Sequence, residues 1–260
     1  MVVVKDSVLD ESLCLQILSE VNVLKSSGHL RLANMSRGDD QWADEYFRGD
    51  SLSWITPSLI EELSLVGIPQ LKDKLIAAVQ SISCQLGLVD TEHQMQFAVY
   101  PGKGEGYNRH RDAFAPTGDR SSTSRQLTCI VYLNKYWEPD DGGQLRVFTR
   151  PGVTVDGPVD AFNFWGVQGF DINPVFGRLV VFRSELVEHA VLPCFSERMA
   201  LTTWLSGTGP DPDSSSSLNY GGENVFAFLP STTQCGGVTS NQIDDEEEDD
   251  GSESVSVLPK

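Results

Sequence analysis

The chain has 260 residues and a formal net charge of −18, and 40% of its residues are hydrophobic. A chain of this length can bury a substantial core, and no apolar run reaches the roughly 18 to 20 residues that a membrane-spanning helix needs. Nucleic-acid binding depends on clustered Lys and Arg, so the acidic charge argues against a nucleic-acid partner. The composition predicts a globular protein with neither a membrane segment nor a nucleic-acid surface.

The cysteines indicate the cellular compartment. The chain has five of them, an odd number, widely separated and without the C-x-x-C spacing of zinc or redox sites. Free thiols in a reducing compartment fit this pattern best, which predicts a cytoplasmic or nuclear protein. The N-terminal stretch "MVVVKDSVLDESL" has acidic residues where a secretory signal needs a longer apolar segment, so we expect no export signal.

The first third of the chain has the apolar periodicity of helices. After Asp10, a predicted N-cap, apolar residues recur at helical spacing up to Gly28. A second amphipathic segment runs from Pro69 to Gly87. Each of these helices needs an apolar surface to pack on, and a face of a β-sheet would supply it.

From Met95 onward, short strands replace the helical pattern. They are β-branched or aromatic segments separated by Gly, Pro, Asn and Asp: "MQFAVY", "RQLTCIVYLN", "GGQLRVF", "FGRLVVF", "HAVLPCF" and "RMALTTWL". This density of strands predicts an α+β, mainly β protein. We expect a β-sandwich or a jelly roll (double-stranded β-helix) over residues 1–206, with the N-terminal helices packed on one sheet.

The composition changes after Leu205. The stretch "SGTGPDPDSSSSLNYGGEN" is typical of a linker, and "VFAFLP" from Val225 to Pro230 could dock as an extra strand. The run "DDEEEDDGSE", from Asp244 to Glu253, carries eight negative charges that repel one another. We therefore expect residues 207–260 to form a flexible, acidic C-terminal tail.

The triplet "HRD" places His110 and Asp112 two residues apart in a segment of strands and turns. Residues i and i+2 of a strand face the same side, so both side chains could share one ion while Arg111 faces away. His189, which opens a later strand, is the candidate third ligand. Two histidines and one carboxylate suit Fe(II) with open coordination positions, and zinc with a catalytic water is the competing metal.

Arg198 favours iron over zinc. It follows His189 by nine residues and would point into the same mouth of the barrel. A buried arginine is unfavourable unless it meets an anion, preferably through two parallel hydrogen bonds. The expected anion is a dicarboxylate co-substrate.

Five separated motifs then carry a family resemblance: "FRGDSLSWI", "YPGKGEGYNRHRD", "CIVYLNKYW", "GGQLRVF" and "ERMALTTW". Together they resemble the 2-oxoglutarate- and iron-dependent prolyl 4-hydroxylases of the hypoxia-inducible-factor type, over roughly Val21 to Ser206. The resemblance implies hydroxylation of a proline at C4 by Fe(II), 2-oxoglutarate and O2, with ascorbate as reductant. It also implies oxygen sensing as a biological role.

The same resemblance assigns the metal and co-substrate residues. It implies that His110, Asp112 and His189 are the iron ligands. Arg198 would pair with the distal carboxylate of 2-oxoglutarate, and Tyr132 would hydrogen-bond to that carboxylate.

Further residues are implied around the co-substrate and at the entrance for the peptide. Tyr100 would lie beside the co-substrate near the metal, Thr202 would lie close to its distal carboxylate, and Trp204 would close the pocket. The residues implied at the peptide entrance are Arg125, Arg48, Asp50 and Trp54.

The resemblance implies a proline-containing protein substrate, such as a transcription factor, a Skp1-like ubiquitin-ligase adaptor or a translation factor. We expect a monomer without nucleic-acid or membrane partners. One alternative is a related 2-oxoglutarate oxygenase with a nucleic-acid or small-molecule substrate, and another is a catalytically silent binding module. The acidic charge argues against nucleic acid, and the intact triad with Arg198 argues against a silent module.

Two loops depart from the family pattern, because they are longer in this chain. They are "AFAPTGDRSSTSR", after Asp112, and "TRPGVTVDGPVDAFNFWGVQGFDINPV", after Phe148. The sequence therefore leaves the identity of the substrate open.

Overall fold

Two facing β-sheets, mainly antiparallel, form the protein, and helices cover one of them. The computed structural model describes residues 2–33, 35–37, 40–42, 48–85, 89–113, 124–149, 155–164 and 167–208. The α-helices of these residues are α1 (Glu11–Ser26), α2 (Pro57–Glu62) and α3 (Gly67–Gln85). A 3-10 helix lies at Pro139–Asp141.

The strands of the described residues are, in chain order, β1 (Val2–Lys5), β2 (Arg31–Leu32), β3 (Met35–Arg37), β4 (Asp40–Trp42), β5 (Ser51–Trp54), β6 (Val89–Tyr100), β7 (Glu105–His110), β8 (Ser124–Tyr132), β9 (Leu145–Phe148), β10 (Val155–Asp156), β11 (Asp160–Phe164), β12 (Val167–Ile172), β13 (Leu179–Arg183), β14 (Glu188–Cys194) and β15 (Arg198–Thr208). The larger sheet has the order β10-β1-β13-β8-β15-β6-β5-β2, and the smaller one has the order β11-β12-β9-β14-β7. Strands β3 and β4 form a separate pair. The predicted mainly β, jelly-roll class is confirmed.

The larger sheet has one face toward the helices and the other toward the smaller sheet. Strand β8 shows the alternation that produces this arrangement. Leu127, Cys129 and Val131 belong to the apolar cluster that also contains residues of all three α-helices. Ile130 and Tyr132 belong to a second cluster, between the sheets. Side chains of this second set position the site described below.

Helix α1 confirms the predicted N-cap. The carboxylate of Asp10 accepts a hydrogen bond from the backbone N–H of Leu13 at 2.9 Å, which satisfies one of the free donors of the first turn. Residues at helical spacing along α1 are buried against the sheet: Leu13, Cys14, Ile17, Val21 and Leu24. The helix ends at Ser26, just before Gly28.

Helix α3 begins at Gly67, two residues before the predicted start at Pro69. The reason is a tertiary contact, because the Glu20 carboxylate of α1 accepts three backbone N–H groups at the start of α3. These donors are Val66, Gly67 and Ile68, at 2.6 to 2.8 Å. Gly87, the predicted end of the helix, lies outside the described residues.

Some elements were not predicted. Strand β1 lies second from one edge of the larger sheet, where it pairs antiparallel with β13 and parallel with β10. The long insertion after Phe148 contains the hairpin β11–β12, which extends the smaller sheet beyond β9. The short helix α2 starts at a Thr56 cap followed by Pro57.

The last strand in the described chain runs past residue 206, where the sequence places the domain boundary. Strand β15 continues to Thr208, so the boundary expected at residue 206 falls inside this strand. The first three residues of the predicted linker belong to β15. The rest of the linker, the "VFAFLP" segment and the acidic run lie outside the described residues. Within the described part of the chain, no helix is long and apolar enough to cross a membrane.

Candidate functional site

Three potential metal ligands meet between the two sheets. His110 ends β7, and His189 lies opposite it on the paired strand β14. Asp112 follows β7 by two residues, and its Oδ1 lies 3.5 Å from His110 Nε2 and 3.7 Å from His189 Nε2. The structure thus brings together the three predicted ligands, whose ligand atoms all lie within 4.8 Å of one another.

The spacing of these three ligand atoms fits a small divalent metal ion. Adjacent ligands of an octahedral ion with bonds of about 2.1 Å lie about 3 Å apart. The two distances from Asp112 Oδ1, 3.5 and 3.7 Å, exceed that value by less than one ångström, and the three ligand atoms all lie within 4.8 Å of one another. Three ligands on one side leave the opposite side open toward the cavity, the arrangement that suits Fe(II).

The second nitrogen of each imidazole orients the ring. His110 Nδ1 lies 2.7 Å from the carbonyl oxygen of Asn108, and His189 Nδ1 lies 3.2 Å from that of Val187. A carbonyl oxygen only accepts hydrogen bonds, so Nδ1 carries the hydrogen in both rings. The lone pair of each Nε2 is therefore free to bind a metal ion.

Burial and charge set the protonation of the ligands. Burial of the imidazolium form lowers the pKa of His189 to about 4, although Asp112 opposes this shift. Burial alone would raise the pKa of Asp112, but the two imidazoles and the Thr128 hydroxyl hold it below the ordinary value of 3.8. At neutral pH the site thus presents a neutral His189 and an ionised Asp112, the forms that bind metals.

Arg198 lies buried at the first position of β15, with only 4% of its surface exposed. Its Nε donates to the Gly143 carbonyl at 2.7 Å. Its guanidinium carbon lies 5.1 Å from the ring centroids of Tyr100 and Tyr132. No ion pair among the described residues includes Arg198, so its charge is not compensated by a carboxylate there.

Tyr132 adds a second unsatisfied donor beside Arg198. Its buried hydroxyl has no hydrogen-bond partner of good geometry among the described residues. Burial raises the pKa of Tyr132 despite the nearby positive charge of Arg198, so the phenol keeps its proton. A carboxylate group placed here would accept hydrogen bonds from both side chains, as the predicted co-substrate requires.

The turn before β9 brings its backbone close to Arg198. Gly143 has a φ of +72°, and a Cβ added to it would lie 2.8 Å from Cδ of Arg198. Only glycine fits this position without strain. The preceding Asp140 and Asp141 belong to the 3-10 helix, and the described metal-ligand cluster does not include them.

Aromatic and cationic side chains form the mouth of the cavity. The guanidinium of Arg125 lies 3.9 Å from the Trp204 ring and donates to Gln94 Oε1 at 3.1 and 3.3 Å. Trp54, which is 42% exposed, lies 5.7 Å from Trp204. This mouth has an aromatic surface and a cation that could contact a polypeptide.

A second group at the cavity wall connects the entrance to a metal ligand. Arg48 forms an ion pair of 2.6 Å with the fully buried Asp50 and donates to Gln96 at 3.1 Å. Its guanidinium also lies 4.6 Å from the ring of Tyr107. That ring stacks on His110 with centroids 3.6 Å apart, which restrains the imidazole.

One cavity of about 350 Å³ joins these groups. The predicted site residues along its wall are Arg48, Asp50, Trp54, Tyr100, His110, Asp112, Arg125, His189, Arg198, Thr202 and Trp204. Tyr132 is the exception: it is fully buried next to Arg198, with its ring centroid 5.1 Å from the guanidinium carbon, and does not line the cavity. Arg111 was wrongly predicted to face away. It lines the cavity because β7 ends at His110, so the alternation of a strand no longer applies.

Sequence reasoning missed three polar residues at the site: Gln96, Tyr107 and Thr128. Thr128 occupies an inward position of β8, alternating with Ile130 and Tyr132. Gln126 has the same inward parity and is also polar, so the pattern of β8 did not single out Thr128. Tyr107, three residues before His110, offered no distinguishing pattern either.

Comparison with known proteins agrees with this geometry. The sequence model of the 2OG-Fe(II) oxygenase superfamily matches residues 95–206. The human protein named prolyl hydroxylase EGLN3 is 31% identical over 192 residues, which cover 72% of this chain and 71% of the relative.

Two solved structures are similar in fold and sequence. A Pseudomonas putida prolyl-4-hydroxylase has a TM-score of 0.60 and 30% identity, covering 78% of this chain and 91% of the other. A Trichoplax adhaerens prolyl hydroxylase, solved in complex with a hypoxia inducible factor oxygen degradation domain peptide fragment, has a TM-score of 0.64 and 26% identity. That match covers 80% of this chain and 83% of the other. The chain belongs to the 2OG-Fe(II) oxygenase superfamily and is a homologue of the EGLN prolyl hydroxylases.

Proposed function

We propose that this protein hydroxylates C4 of a proline in a protein substrate, using Fe(II), 2-oxoglutarate and O2. The observation that carries the proposal is one cavity that contains both the His110–Asp112–His189 cluster and the buried, uncompensated Arg198. A metal site alone would also suit zinc, whereas an added anion site indicates an organic co-substrate. The prolyl hydroxylases among its relatives support proline as the target.

His110, Asp112 and His189 would hold the iron. When bound, iron and 2-oxoglutarate supply the oxidant that places one oxygen atom of O2 on carbon, while 2-oxoglutarate leaves as succinate and CO2. Ascorbate would keep the metal reduced.

The chain itself positions the co-substrate. Arg198 and Tyr132 would bind the distal carboxylate, because both present donors that have no carboxylate partner among the described residues. Tyr100 and Thr202 would flank the bound molecule along the wall. Apolar residues of the same wall would exclude water from the reacting groups: Ile130, Leu145, Val191 and Ala200.

The entrance would select an extended peptide. Proline lacks a backbone donor and disfavours helices, so an exposed proline segment can enter without breaking regular structure. Trp54 and Arg125 would contact the entering backbone at the mouth. Arg48 and Asp50 would hold the deeper wall beside Tyr107.

The class of protein substrate is a finer question. The Trichoplax relative binds a peptide of a hypoxia-inducible factor, which favours a transcription factor for this chain as well, together with a role in oxygen sensing. An adaptor of a ubiquitin ligase and a translation factor are the other candidates. The long loops that depart from the family pattern lie partly outside the described residues.

The test is direct. The purified protein is incubated with Fe(II), ascorbate, 2-oxoglutarate and candidate proteins, and tandem mass spectrometry locates any added oxygen. We expect oxygen on proline, with one succinate formed per hydroxylation. A double variant, Asp112→Ala with His189→Ala, is the control and should form neither product. Oxygen found on a nucleobase, a lysine or a free amino acid, with proline substrates unmodified, would overturn the prolyl assignment but keep the oxygenase chemistry.

A further inference from the structure

The two oxygens of the Asp112 carboxylate have different surroundings. Oδ1 faces the two histidines of the cluster, at 3.5 and 3.7 Å from their Nε2 atoms. Oδ2 points away and lies 2.7 Å from Thr128 Oγ1 and 3.1 Å from Trp204 Nε1. Oδ1 is therefore available to a metal ion, whereas Oδ2 is engaged in hydrogen bonds with the protein.

The two groups that contact Oδ2 lie on neighbouring strands of the larger sheet. Thr128 on β8 and Trp204 on β15 are directly paired across the larger sheet. Asp112, in contrast, follows β7 of the smaller sheet. The contact thus joins the two sheets at the metal site.

The direction of the hydrogen bonds follows from the chemistry of the groups. An ionised carboxylate only accepts, so Thr128 donates its single hydroxyl hydrogen to Oδ2, and the Trp204 indole also donates. Ser184 Oγ lies 2.8 Å from Thr128 Oγ1, and Thr128 has no second hydrogen. Ser184 must therefore donate to Thr128. Both hydroxyls are fully buried, so water does not compete for them.

We propose that Thr128 and Trp204 are positioning residues that restrict Asp112 to binding the metal through Oδ1 alone, and that Ser184 fixes the orientation of the Thr128 hydroxyl. A carboxylate with two free oxygens can bind a metal ion through both of them. Such bidentate binding would occupy a coordination position that the co-substrate or O2 needs. The inference rests on the proposed metal site. It adds the residues that keep a coordination position of the metal free.

The experiment measures metal binding without turnover. Mn(II) affinity is determined by calorimetry and electron paramagnetic resonance under anaerobic conditions for the full chain. Thr128→Val removes the hydroxyl at nearly constant shape, and Thr128→Ser retains it. We expect Thr128→Val to weaken Mn(II) binding about 10- to 100-fold, the usual effect of losing such an outer partner. Thr128→Ser should remain close to the unaltered protein.

Two further variants separate positioning from general stability. Trp204→Phe removes the indole donor, and Ser184→Ala acts only through Thr128, so both should weaken Mn(II) binding less than Thr128→Val does. The absorption spectrum of bound Co(II) should change in Thr128→Val and not in Thr128→Ser, because it reports coordination number. Unchanged affinity and spectrum in a folded Thr128→Val or, if that variant does not fold, in Ser184→Ala would overturn this inference. Failure of the unaltered protein to bind Mn(II) would instead overturn the metal site itself.

Discussion

The cavity has a proposed metal subsite and a proposed co-substrate subsite, and Arg198 belongs only to the second. The guanidinium is buried beside the unsatisfied Tyr132 hydroxyl, whereas the metal ligands lie on β7, β14 and the segment after β7. Removing the charge should therefore affect the anion and leave the metal in place. This independence makes the assignment of the two subsites testable one at a time.

We predict that Arg198→Ala weakens 2-oxoglutarate binding by at least one order of magnitude, because hydrogen bonds to charged groups contribute about 1.5–3 kcal/mol. Anaerobic titration of the Mn(II)-loaded protein with 2-oxoglutarate measures this effect. Mn(II) affinity should be unchanged. Arg198→Lys is the matched control. Its affinity for 2-oxoglutarate should lie between those of the unaltered protein and Arg198→Ala, since it keeps a charge but loses the planar pair of donors. Equal 2-oxoglutarate affinity in all three proteins would contradict the role of Arg198.

The ligand residues could be predicted because their chemistry is concentrated in short motifs. His110 and Asp112 are two residues apart, and Arg198 has few reasons to be buried other than to bind an anion. Thr128 could not be assigned in the same way, because its role depends on a neighbour from the other sheet. Arg111 was predicted wrongly because the end of β7 at His110 has no signal in the sequence.

The start of helix α3 depends on a carboxylate from α1. The three backbone N–H groups at this end have no partners within the helix, and Glu20 accepts all three of them. A carboxylate at this end also interacts favourably with the helix dipole. This contact links α1 to α3, two of the helices that cover the larger sheet.

We predict that Glu20→Gln destabilises the protein by about 1 kcal/mol, since an amide offers one acceptor oxygen where the carboxylate offers two. For a domain of about 200 residues this corresponds to a melting temperature about 2–4 °C lower. Glu20→Ala should lower it further. Calorimetry measures the shift, and Glu61→Gln, at an exposed position of α2, serves as the control. Melting temperatures that agree among all these proteins would show that the contact contributes nothing.

Elements with a clear local pattern were predictable, whereas elements that depend on distant residues were not. Helix α1 and strands β8, β13 and β15 carry enough apolar periodicity to be identified from the sequence alone. Strand β1 has only four residues, and its place in the sheet depends on β13, which is almost 180 residues away. The start of α3 was misplaced by two residues because Glu20, a residue of another helix, caps it.

The acidic charge is distributed unevenly along the chain. Eight of its 37 acidic residues lie between Asp244 and Glu253, beyond the last described strand. The site and both apolar clusters are formed by residues up to the end of β15. We propose that the catalytic unit ends with β15 and that the remaining residues form a separate acidic tail.

We predict that deleting residues 231–260 leaves both the melting temperature and the rate of succinate formation nearly unchanged. This segment has few apolar residues and many like charges, so it has little to contribute to a core. We expect the free energy of unfolding to fall by less than about 0.5 kcal/mol, which corresponds to a melting temperature lower by about 1–2 °C. A second variant keeps the length but replaces the eight acidic residues with Ser and Asn, which separates the effect of charge from that of chain length. If the melting temperature fell by many degrees in the shortened protein but not in the neutral variant, the segment would pack on the catalytic unit through its apolar residues. If the melting temperature fell in both proteins, the segment would dock through its charge.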